Sequence, residues 1–156
     1  VDVILNYATD GVAHNHNNSP DRLHNFSAED IYKLAYYWSI GKINNLSTFS
    51  YTVVTDSTSY ILMIDDPNAF INFAQSWFDS EKHFEAFKIH LYENHKYGKT
   101  GNTLAQDEKN FLSAVQAQGP GLNGCGLKLF KANQNMTTFT PVKMNSNGQI
   151  VENPCN

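Results

Sequence analysis

Apolar positions change their period several times along the chain, and each change marks an element. The run VDVILNYA reads as a strand. After the turn signal Thr9-Asp10-Gly11, a shorter run, GVAH, reads as a second one. A polar loop, HNHNNSPDRLHN, follows. From Ser27 the apolar residues Ile31, Leu34, Ala35 and Trp38 fall on one helical face, and Gly41 ends the pattern. Phe26 before the predicted cap and Ile31 one turn on have the spacing of a hydrophobic staple.

The segments FSYTVV and YILMI, rich in β-branched and aromatic residues, predict a hairpin around Thr-Asp-Ser-Thr-Ser. Asp66-Pro67 places a capping carboxylate before a proline at a first helical position. Phe70, Ile71, Ala74, Trp77 and Phe78 give that helix its apolar face. Another helical stretch carries Phe84, Phe87 and Leu91 and closes at Tyr97-Gly98. Thr103 to Gln106 fits a capping box for a further helix, with Leu104, Phe111, Leu112 and Val115 inward and Gly119-Pro120-Gly121 as its stop. The tail GLKLFK, TFTPVKM and QIV predicts short strands turning at Asn133-Gln134-Asn135 and at Asn145 to Gly148. The order of elements predicts an α/β fold, a mixed sheet flanked by helices, in one domain over residues 1–156. Residues 122–156 form its C-terminal short strands and tail.

Composition narrows the class. A chain of 156 residues buries roughly 70% of the surface that it exposes when unfolded, and 41% hydrophobic content supplies a core. Eleven Lys and Arg against a net charge of -4 argue against a nucleic-acid partner, which selects for a basic patch. No apolar run approaches the ~18 residues of a membrane span, so no membrane partner is expected. VDVILNYATD has neither the basic flank nor the apolar core of a secretion signal. Cys125 and Cys155 have the option of pairing, which would contribute roughly 3–4 kcal/mol by loop closure and require an oxidising compartment; two unrelated thiols are the alternative. The bridge slightly favours an extracytoplasmic location.

The candidate chemistry lies in GVAHNHNNSPDRLHNFSAED, residues 11–30. His14 and His16, two apart at the end of a predicted strand, point to the same face. Asp30 falls in the first turn of the next helix, where its carboxylate can face back to the strand end. Two imidazoles, one carboxylate and an open fourth position make the ligand set of a catalytic zinc (Zn2+) site. The plain alternative is a solvated loop, with Ser27 an ordinary N-cap and Asp30 an ordinary first-turn acid.

These residues resemble the motif of the JAMM (JAB/MPN) metalloprotease family, His-x-His followed by a loop and Ser-x-x-Asp. Here it runs His14-Asn15-His16, a ten-residue loop, then Ser27-Ala28-Glu29-Asp30. The position after the second histidine is Asn17 where the family has proline. The resemblance implies a JAB/MPN-like, cytidine-deaminase-like layer architecture, missing its N-terminal part. It implies zinc held by His14, His16 and Asp30, with Ser27 helping to stabilise an oxyanion. The activity implied is hydrolysis of a peptide or isopeptide bond in a peptide or protein substrate. The family's general-base Glu lies on an earlier strand; no Glu precedes His14 here, so that base is expected outside this chain. A non-catalytic metal-binding or interaction module of the same fold is the alternative.

Other candidates read as structural. His24, in the same loop, reads better as a loop residue than as an extra or rival ligand to the trio. His83, His90 and His95 have no i, i+4 spacing and are expected at the surface. Asp65-Asp66 reads better as a helix cap than as an acid/base pair. Cys125, in Leu-Asn-Gly-Cys-Gly, reads better as a bridged or buried sulfur than as a nucleophile.

Overall fold

The computed structural model describes residues 4–16, 23–56, 58–116, 124–133 and 135–152. Its elements are β1 (Gly11–Asn15), α1 (Ala28–Ser39), β2 (Ser50–Val54), β3 (Ser59–Ile64), α2 (Pro67–Phe78), α3 (Glu81–Lys88), a π-helical segment (Ile89–Asn94), α4 (Leu104–Gln116), β4 (Leu127–Ala132), β5 (Phe139–Met144) and β6 (Ile150–Glu152). The strands form one mixed sheet in chain order, β1 to β6. Only the β1–β2 pair is parallel, because α1 carries the chain across between them. The others pair antiparallel, and three of the four helices lie in sequence between β3 and β4.

Local chemistry sets the helix starts. Ser27 caps α1, taking the Asp30 amide on its hydroxyl while the Asp30 carboxylate takes the Ser27 amide. Asp66 caps α2 through the amides of Asn68 and Ala69, with Pro67 at the first helical position. Thr103 and Gln106 close a reciprocal box before α4. Gly41, at φ +68°, takes the left-handed turn that stops α1.

The core runs between the sheet and the helices. Tyr51, Val53, Tyr60, Leu62, Ile64 and Leu129 come from the strands; Ile31, Leu34, Phe70, Phe73, Phe87, Phe111 and Leu112 come from the helices. Phe26 and Ile31, the expected staple pair, are both fully buried in it. Burying each such side chain stabilises the fold by roughly 1.5–3 kcal/mol.

The sequence reading needs two corrections. Residues 4–8 of the expected first strand are not extended into the sheet: Ile4 is 82% and Tyr7 84% exposed, and the nearest ladder contact is an isolated bridge from Thr9 to Ile43. An apolar run becomes a strand only where a partner strand accepts its amides, and β1 begins at Gly11. The helix of Phe84 and Leu91 also changes pitch at Ile89. In the π-helical segment the His95 amide bonds to the His90 carbonyl at 3.1 Å, an i, i+5 closure. That pitch stacks His90 and His95, ring centroids 4.5 Å apart, in a half-buried pair. Only His83 is exposed as expected. The expected stop at Gly119 to Gly121 lies outside the described residues.

Candidate metal centre

β1 reaches the site because Gly11 lets it. A Cβ there would stand 2.5 Å from Ser50 Oγ and 2.9 Å from the Ser50 carbonyl, so a larger residue would push β1 off β2. Along β1, Val12 is buried, and His14 and His16 continue its face toward the start of α1. The His14 ring lies against Tyr51 and Phe26, at centroid distances of 5.2 and 6.4 Å.

Asp30, at the third position of α1, meets both rings. His14 Nε2 lies 3.1 Å from Asp30 Oδ1, His16 Nε2 lies 3.3 Å from Asp30 Oδ2, and the two Nε2 atoms are 3.2 Å apart. His14, His16 and Asp30 form the group of histidine and carboxylate ligands close enough to share one metal ion among the described residues. Their spacing suits zinc. Zn–N bonds of about 2.0–2.1 Å in a tetrahedron set two donors about 3.3–3.4 Å apart, close to these separations.

Each ring is oriented differently. His16 Nδ1 faces the Leu23 carbonyl at 3.3 Å. A carbonyl only accepts, so the neutral ring carries its proton on Nδ1 and turns the Nε2 lone pair to the site. His14 Nδ1 is buried without a hydrogen-bond partner among the described residues, so that ring is held by aromatic packing and by its Nε2 contacts with Asp30 and His16.

The Asp30 carboxylate divides its work. Oδ2 accepts from the Ser27 amide at 2.8 Å and from the Ser27 hydroxyl at 2.9 Å; Oδ1 faces His14, with the Tyr51 hydroxyl at 3.5 Å. Burial pushes the acid upward, but the contacts with His14 and His16 and the Ser27 amide outweigh it. The carboxyl is held well below the usual carboxylate range. Burial and the adjacent Asp30 charge push Tyr51 far above the ordinary phenol value, keeping it a neutral donor.

The trio opens into a cleft of about 490 Å³, lined also by Ala13, Asn15, Ser27, Glu29, Lys33, Tyr37 and Tyr51. Glu29, Lys33 and Tyr37 follow one another four apart along α1, so one helix stripe forms a wall. Sequence reasoning passed over this stripe, although its i, i+4, i+8 spacing beside Asp30 was the available signal. The Tyr92 hydroxyl, from the π-helical segment, braces it: it takes the Ala28 amide at 2.8 Å and donates to Glu29 Oε2 at 3.4 Å.

The expected site residues thus converge, with Ser27 in a different posture. Its hydroxyl donates to Asp30 Oδ2 and accepts the Asp30 amide, so at the cleft wall it is engaged with that carboxylate. His24 is drawn away from the trio to Asp107 Oδ2, at 2.9 Å. Asp66 is the α2 cap and Asp65 an exposed residue 3.5 Å from Lys128. Cys125 is buried, and burial pushes its thiol up to about 12, which does not suit a nucleophile. Its expected partner, Cys155, lies outside the described residues. Compared with known proteins, the chain matches no family model, no curated protein and no solved structure.

Proposed function

We propose that this chain is a zinc-dependent peptidase or isopeptidase of the JAMM kind. The observation carrying the proposal is the mutual approach of His14 Nε2, His16 Nε2 and the Asp30 carboxylate at tetrahedral ligand spacing, beside an open cleft. The order β1, crossover helix α1 and the β2–β3 pair also follows the arrangement that the resemblance implies, which supports a JAB/MPN-like architecture.

In this reading His14, His16 and Asp30 hold the ion. Zinc bound there supplies a water that ionises near neutral pH and an electrophile for the substrate carbonyl. Ser27 keeps the Asp30 carboxylate turned to the histidines through two hydrogen bonds. Glu29, the carboxylate other than Asp30 lining the cleft among the described residues, would accept a proton from the nucleophile at Oε and return it to the leaving amine. This assigns within the chain the base that the resemblance places upstream.

The engaged Ser27 hydroxyl favours a second reading, a metal-binding module without hydrolysis. Zinc-loaded protein incubated with a mixed peptide pool, with and without chelator, separates the two. The enzyme reading predicts chelator-sensitive cleavage, lost in His16→Ala together with the metal and lost in Glu29→Gln with the metal retained. Retained zinc and an uncleaved pool select the module. Full cleavage by His16→Ala would remove both.

A further inference from the structure

We propose that the open edge of β1 binds an extended peptide segment, which adds to the sheet through the main-chain groups of Ala13 and Asn15. The inference rests on the hydrolytic reading of the adjacent cleft and names how its substrate is held.

The register fixes which groups are available. Ser50 N donates to the Asp10 carbonyl, and His16 N donates to the Val54 carbonyl. The β1–β2 pairing keeps a constant offset between these points, Gly11 to Ser50 through Asn15 to Val54. Even-numbered residues from Asp10 to His16 therefore direct their amides and carbonyls to β2, and odd-numbered residues direct theirs away from it. The Gly11 carbonyl is taken by the Thr9 hydroxyl at 3.2 Å. The N–H and C=O groups of Ala13 and Asn15 have no hydrogen-bond partner among the described residues, and both residues are exposed.

Such an edge invites pairing unless the sequence protects it, by lysine, proline, a bulge or extreme shortness. The opposite edge is protected: β6 has three residues and ends in Glu152, and its neighbour β5 carries Pro141 and Lys143. β1 reads GVAHN, with no charge, no proline and an unbroken register. The occupant is identified by continuity. Ala13 and Asn15 line the same cleft as His14, His16 and Asp30 and flank His14 along the strand. A strand paired there runs past the trio and brings one of its own carbonyls to the cleft, whereas a helix or a folded surface would leave these groups unmet. Main-chain bonding makes the docking tolerant of peptide sequence and selective for extended chain.

The test uses the full zinc-loaded chain, labelled for amide NMR, titrated with a blocked heptapeptide of alternating valine and threonine into the millimolar range. Saturable shifts and slowed exchange are expected at the Ala13 and Asn15 amides, with Val12 and His14, already bonded to β2, protected throughout. Ala13→Pro removes an amide that faces away from β2, a position where proline is tolerated. It is expected to weaken peptide binding by about tenfold or more and to leave the zinc content unchanged. With the protein unaltered, N-methylation of one alternate set of peptide amides should abolish binding and methylation of the other should not. Unchanged Ala13 and Asn15 amides, or equal tolerance of both methylated sets, would overturn the proposal. So would a peptide-free dimer with these two amides already protected. Zinc measured on the same samples separates the two readings. Peptide pairing on a chain that retains no zinc leaves the edge assignment standing and removes the metal site. Retained zinc with untouched amides does the reverse.

Discussion

Two buried aspartates near helix starts each face histidine, and they are built differently. Asp107, in the first turn of α4, is enclosed by fixed donors: the Gly98 amide at 3.1 Å, the Asn102 side-chain amide at 2.7 Å and His24 at 2.9 Å. One imidazole closes that set from the rim, its side chain 40% exposed. Asp30 has its capping donors on Oδ2, while two imidazoles converge on it and on each other. An enclosed carboxylate ties chain segments together. A carboxylate that meets two ring nitrogens at one point has the spacing of a ligand set. The same pairing of residue types thus serves as a clasp in one place and as a candidate ligand set in the other.

Substitutions at the two aspartates should separate these roles most strongly. Asp30→Ala should abolish zinc retention, read as metal per chain. Asp107→Ala should lower unfolding stability by about 2–3 kcal/mol in urea, because it removes the buried carboxylate on which three donors converge, and should keep its zinc. Loss of zinc in Asp107→Ala would break the contrast. Ser27→Ala comes next: it removes the α1 cap, costing about 1 kcal/mol. It also removes one of the two Ser27 hydrogen bonds that hold the Asp30 carboxylate, leaving the amide, so zinc affinity in chelator competition should fall by about 10-fold. A pure capping role predicts the stability loss with unchanged affinity. His24→Ala should cost less, within about 1 kcal/mol, because the imidazole is 40% exposed, and should leave zinc affinity as it was. A tenfold loss of affinity there would mean that the clasp and the metal centre are one unit.

The smallest effect concerns the π-helical segment. Burial, with His90 beside it, lowers the His95 pKa below its ordinary value. The unfolded chain then binds more protons than the folded one as pH falls below about 6.5, so this contribution to stability is present above that pH and declines beneath it. His95→Gln should flatten the stability profile between about pH 5 and 7. An unchanged slope would place the acid sensitivity elsewhere.

The chain disclosed what is local and withheld what is distant. Ser27, Asp66-Pro67 and the Thr103–Gln106 box announce their helices because a cap satisfies amides within a few residues of itself. His14, His16 and Asp30 were legible for the same reason: two strand residues share a face, and one helix start can turn back to them. Capping and approach to the histidines are compatible in one side chain, since Asp30 Oδ2 accepts the Ser27 amide while Oδ1 stays turned to His14. The His24–Asp107 clasp joins residues 83 apart and has no local signature. Glu108, buried with the Tyr60 hydroxyl and Lys131 upon it, depends likewise on the α4–sheet contact. The His90–His95 pair was missed because α-helical spacing was assumed where the helix widens to i, i+5. Residues 4–8 were misread because an apolar run does not reveal whether a partner strand lies alongside.

The most direct test of the central claim is metal content by mass spectrometry, on protein purified without chelator and then given zinc. It is measured beside a His14→Ala/His16→Ala double variant shown by circular dichroism to be folded. The site described here predicts about one zinc per chain in the parent and none in the variant. A parent that stays metal-free in the presence of zinc, or a variant that binds as much as the parent, would contradict it. Residues 11–30 would then be an edge strand, a polar loop and a well-capped helix.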